Sequence, residues 1–146
     1  ITFRPKGLMA AGDTFSVLVK GRQSHGAMPW AGVDPIVVAS QIVLGLQTIV
    51  SRQVDITRYP AVVSVGAIRG GIRNNIIPDD VELVGTLRTY DPAVRADVMA
   101  RMTRTAQDIA AASGGAATIE FGSDPNPVLV NDPQLAARVL PSQSAE

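Results

Sequence analysis

Cysteine is absent from this 146-residue chain, and histidine occurs once, at position 25. The first absence excludes a disulfide framework and thiolate metal ligation, and the second excludes any site that needs two imidazoles. Aromatic residues make up 4% of the sequence, and thirteen basic side chains balance thirteen acidic ones. A phosphate-binding surface needs a basic excess, and a single-strand platform needs stacking rings, so nucleic acid is not expected as a partner. The longest apolar stretch, Val33 to Val50, is interrupted by Asp34, Ser40, Gln41, Gln47 and Thr48. A lipid-spanning helix rarely carries that set together, so no membrane partner is expected and the chain reads as soluble.

The length suits one domain with a real core. Ile1 stands where a methionine would start a complete chain, and a polar tail follows Pro141, so both ends read as cut. Any targeting signal would precede Ile1, which leaves the compartment open, with cytoplasm as the default.

What is present is regular. Asp34-Pro35, Asp91-Pro92 and Asp132-Pro133 each pair a carboxylate that caps free first-turn amides with a proline that loses no hydrogen bond at the next position. They predict helices from Pro35 to about Arg52, from Pro92 to about Ala112, and a short one from Pro133 that stops at Pro141. In the second helix, Val94, Val98, Met102, Ala106 and Ile109 form one buried stripe, with Arg95, Arg101, Arg104 and Asp108 outside. In the first, Ser40, Gln41, Gln47, Thr48, Ser51 and Arg52 share an arc with Val37 and Leu44, two aliphatic residues that suit either plain exposure or a second contact surface such as a dimer interface.

Four segments alternate with period two: Thr14 to Lys20, Ala61 to Ile68, Val81 to Thr89 and Ala117 to Phe121. The order strand, helix, strand, strand, helix, strand predicts an α+β, ferredoxin-like βαββαβ sandwich. Its four antiparallel strands would stand in the order 4-1-3-2, with both helices on one face.

That topology sends the loop after the first strand, GRQSHGAMPWAGV, and the loop between the second and third, RGGIRNNIIPDD, to the same end. His25 is then a neighbour of Asn74 and Asn75. Arg88 lies eight residues along the third strand from Asp80, roughly 26 Å away, on the face without helices. Each residue also has a plain reading: His25 as a loop hydrogen-bonder, the asparagines as turn formers, Arg88 as a solvated cation, and Trp30 as a cover for the core.

Together, SHGAMPWAGVDPI and GGIRNNIIPDDVELVGTLRTYD resemble the dimerisation, or lid, domain of the aminoacylase/carboxypeptidase family of metal-dependent amidohydrolases, near its hippurate hydrolase and N-acyl-amino-acid amidohydrolase branch. The resemblance implies three segments. Residues 1–12 would be a hinge from a catalytic domain absent here, 13–124 the lid, and 125–146 a truncated return. It further implies a homodimer in which His25 reaches the partner's active site and donates to the carbonyl oxygen that becomes the tetrahedral oxyanion. Asn75 would hold substrate from the same side, with Asn74 as the alternative if the register slips by one, and Arg88 would bind the carboxylate of an N-acyl amino acid or small peptide. A divalent metal centre (Zn, Mn, Ni or Co) would belong to the catalytic domain, and this chain alone would hold no metal and turn over nothing. Gln23-Ser24 before the histidine, and Trp30 where many relatives carry a second histidine, depart from the pattern and bear on substrate preference. A free-standing regulatory module binding a small amino acid at a dimer interface would use the same fold, and it differs in requiring the isolated chain to bind amino acids.

Overall fold

The computed structural model describes residues 7–124 and 126–139. Along the chain lie β1 (Gly7–Met9), β2 (Ala11–Lys20), β3 (Ser24–His25), α1 (Pro35–Thr48), β4 (Ala61–Gly70), β5 (Ile76–Ile77), β6 (Asp80–Thr89), α2 (Pro92–Ala112), β7 (Ala116–Phe121), β8 (Leu129–Val130) and α3 (Pro133–Val139). The expected stop at Pro141 and most of the expected hinge, residues 1–6, lie outside the described residues.

Four strands form one antiparallel sheet with spatial order β4-β6-β2-β7. Alternation explains its two faces: Phe15, Val17 and Val19 of β2 and Val81, Leu83 and Leu87 of β6 are buried, whereas Ser16, Glu82, Val84 and Arg88 stand on the other side. Val38, Ala39, Ile42 and Leu46 of α1 and Val98, Met102 and Ala106 of α2 close the same core. Full burial of each large aliphatic side chain contributes about 1.5–3 kcal/mol.

Local chemistry sets the helix ends. Asp34 Oδ1 accepts from Ile36 N and Val37 N at 2.9 and 3.3 Å, and Asp91 Oδ1 from Ala93 N and Val94 N at 2.8 and 3.1 Å. Asp132 does the same for α3 at 2.7 and 3.0 Å. Gly114, at φ +76°, supplies the left-handed residue that ends α2. Helix α1 stops at Thr48, four residues before the expected Arg52, because the turn widens to a π turn over Ile49–Gln53. The span Pro35–Gln53 is long and apolar enough to cross a membrane by length and composition, yet Val38, Ile42, Leu46 and Ile49 bury it against the sheet.

Two expectations are corrected. Trp30 does not cover the core: it sits on a 3-10 turn, Pro29–Ala31, that buries no side chain, and is 77% exposed. Arg95 is not simply outside, because its Nε and Nη2 donate to Asp13 at 2.8 and 2.6 Å. Asp13 is 2% exposed, and a carboxylate withdrawn from water needs such a fork. Its hydrogen bonds hold the Arg95 guanidinium above the ordinary arginine range, against the opposing effect of burial.

Candidate functional site

The two loops at one end of the sheet meet as a small antiparallel ladder rather than as loose turns. Ser24 pairs with Ile77 and His25 with Ile76, and the Gly26 amide donates to the Asn75 carbonyl at 2.8 Å. A Cβ on residue 26 would stand 3.1 Å from the Asn75 peptide, so a side chain there would crowd this contact. Asp79 holds the ladder's base: its carbonyl accepts from Gly21 N at 2.8 Å and its Oδ1 from Gln23 N at 3.0 Å. Reciprocal Arg22 and Val33 backbone bonds of 2.9 and 3.0 Å close the loop on itself. Sequence reasoning missed Asp79, although its place just before β6, level with the end of β2, follows from the sheet order.

His25, Asn74 and Asn75 are all exposed at this tip. The imidazole is nevertheless oriented, because its Nδ1 accepts from the Ala27 amide at 3.1 Å. The side-chain amides of Asn74 and Asn75 make no hydrogen bond to another described residue. With two donors and one acceptor each, they are available to a ligand.

Arg88 is not brought to that tip. It stands near the opposite end of β6, level with Gly12 of β2 and Val62 of β4, about 26 Å from Asp80 along the unbroken strand. Its guanidinium lies over Gly12, where a Cβ would collide with Nη1. Here the chain enters and leaves the sheet side by side, since β1 pairs with β8 and Gly12 exchanges backbone bonds of 2.9 and 3.0 Å with Asn126. A groove of about 820 Å³ opens at this end, lined by Arg88, Met9, Tyr90, Asn126 and Leu129. A planar cation at the wall of such a groove suits a carboxylate.

Among the described residues no group of three or more histidine, aspartate or glutamate side chains could hold a metal ion.

His25 at the tip and Arg88 at the linker end thus stand at opposite ends of a module with a single core. The chain belongs to the peptidase dimerisation domain family, whose model matches residues 10–113. It is 43% identical over 132 residues to the N-acetyl-L-cysteine deacetylase of Bacillus subtilis (strain 168), covering 90% of this chain and 31% of that protein. Thermostable carboxypeptidase 2 of Saccharolobus solfataricus is 35% identical over 133 residues, 91% of this chain and 34% of the relative. Among solved structures, a dinuclear metal-binding peptidase of the M20 family from Bacillus subtilis superposes with a TM-score of 0.69 at 33% identity, over 93% of this chain and 34% of that one. A protein from methicillin-resistant Staphylococcus aureus described as an aminohydrolase gives 0.88 at 30% identity, over 99% and 38%. The chain thus spans about a third of the length of the curated relatives it matches.

Proposed function

We propose that this chain, a ferredoxin-like sandwich over residues 13–124 with linker segments 1–12 and 125–146, is the lid and dimerisation part of a metal-dependent amidohydrolase that cleaves N-acyl amino acids or small peptides. His25 donates to the developing oxyanion in the partner subunit's site, Asn75 or Asn74 holds substrate beside it, and Arg88 binds the substrate carboxylate of its own subunit's site. A divalent metal, Zn, Mn, Ni or Co, belongs to a catalytic domain beyond this chain.

The observation that carries the reading is the separation of the halves. His25 and Asn75 are held together at the tip by the β3–β5 ladder, while Arg88 stands near the far end of β6 in the four-stranded sheet, about 26 Å along the strand from Asp80 at the tip end. An N-acyl amino acid is far shorter than that gap, so one lid cannot offer all three groups to one substrate, and a pair of lids can. The names of the relatives, a deacetylase of an N-acetylated amino acid and a carboxypeptidase, support a substrate with an amide next to a free carboxylate. Pairing has a surface to use: Val37 and Leu44 are 53% and 69% exposed on the outer face of α1, and β4 is an edge strand of the sheet among the described residues.

Steady-state kinetics of the full-length parent enzyme test the assignment. His25→Ala is expected to lower kcat by about 10²–10³, the usual loss for one oxyanion donor, with little change in KM. Arg88→Ala is expected to act mainly on KM, and an unchanged kcat in the first variant would remove the oxyanion role.

A further inference from the structure

We propose that the backbone amide of Ala27 is a positioning group that fixes the neutral His25 imidazole as its Nε2–H tautomer, so that the ring presents a donor, not an acceptor, away from the loop. In a neutral imidazole one nitrogen carries the proton and the other a lone pair, and the group bonded to one nitrogen decides the state of the other. The Ala27 N–H points at Nδ1 at 3.1 Å. Nδ1 must therefore supply the lone pair, and the proton resides on Nε2.

The loop is built to hold this contact. The His25 carbonyl accepts from Met28 N at 2.7 Å, which closes the turn that carries Ala27 back over the ring. The Gly26 amide between them is tied to Asn75 at 2.8 Å. His25 itself is pinned to Ile76 by the ladder. Consecutive amides thus have separate tasks: residue 26 joins the two loops, residue 27 sets the ring, and residue 28 closes the turn. Among the described residues Nε2 has no hydrogen-bond partner, so the donor is open to a ligand. An arriving carbonyl oxygen or oxyanion finds an N–H already in place, whereas a free imidazole would present a lone pair in part of its population. The catalytic use of this tautomer rests on the oxyanion reading above, but the tautomer itself does not.

A chain with one histidine makes the test direct. Long-range ¹H–¹⁵N spectra of ¹⁵N-histidine-labelled protein at about pH 9, far above the ordinary imidazole range, report the protonation of each ring nitrogen. The same chain unfolded in urea supplies the intrinsic tautomer ratio. The folded chain is expected to show the Nε2–H form enriched about fivefold over the unfolded ratio, as one hydrogen bond of ordinary net strength would give. Ala27→Pro, which deletes the N–H in an exposed loop, is expected to return the folded chain to the unfolded ratio. A folded ratio equal to the unfolded one, or a dominant Nδ1–H form, would overturn the proposal without recourse to the variant. In the full-length parent enzyme Ala27→Pro should lower kcat several-fold at unchanged KM. If the spectra show the enrichment but His25→Ala leaves kcat intact, the tautomer assignment stands and the oxyanion reading falls.

Discussion

Single side chains at the tip act through backbone contacts that a substitution can reach without touching the core. Gly26 is one such position, because a Cβ there would crowd the Asn75 peptide. Gly26→Val is expected to break the bond between residue 26 and Asn75 and to separate His25 from the asparagine loop. Amide hydrogen exchange should accelerate at positions 26 and 76 while the thermal midpoint moves little. Arg95 gives the opposite case: Arg95→Ala leaves the Asp13 carboxylate buried and unpaired, and is expected to cost about 3 kcal/mol in urea unfolding. Neither effect was legible from sequence. The Asp13–Arg95 pair joins residues 82 apart, and helical periodicity alone assigned Arg95 to solvent. Trp30 departs from its expected burial for a related reason, since a residue type's usual burial says nothing about a loop that turns away from the core.

Helices and strands were far more readable, because their signals are local. Three Asp-Pro pairs mark three helix starts, and all three aspartates accept from the first-turn amides. Asp91→Ala is expected to cost about 1 kcal/mol, seen as a lower urea midpoint with an unchanged m-value. Strand alternation marks the four members of the sheet, with one end of each exact and the other differing by one to three residues. The short ladder of β3 and β5 was not visible, since two-residue strands carry no period. That His25 and Asn75 are neighbours nevertheless followed from topology: two loops at one end of an antiparallel sheet must meet whatever their sequences. What those residues do once they meet came from resemblance and chemistry, not from the pattern.

For the molecule as a whole, the proposed function requires two lids. The outer face of α1 mixes Val37 and Leu44 with Ser40, Gln41 and Gln47, all exposed in the single chain. Leu44→Lys would place a charge in the pairing surface, and light scattering is expected to show the dimer weakened while the circular dichroism spectrum stays unchanged. In the proposed function each active site takes its arginine from one subunit and its histidine from the other. The check is to mix the His25→Ala and Arg88→Ala variants of the full-length parent enzyme, each impaired in kcat/KM, let their subunits exchange, and assay at substrate well below KM. In a mixed dimer one site then holds an intact Arg88 and the partner subunit's intact His25, while the other holds neither. About a quarter of the wild-type activity should return, since half of randomly paired two-fold dimers are mixed and one of their two sites is whole. If activity stays at the level of the separate variants although mixed dimers form, both residues serve the same subunit's site and the shared-site account is wrong.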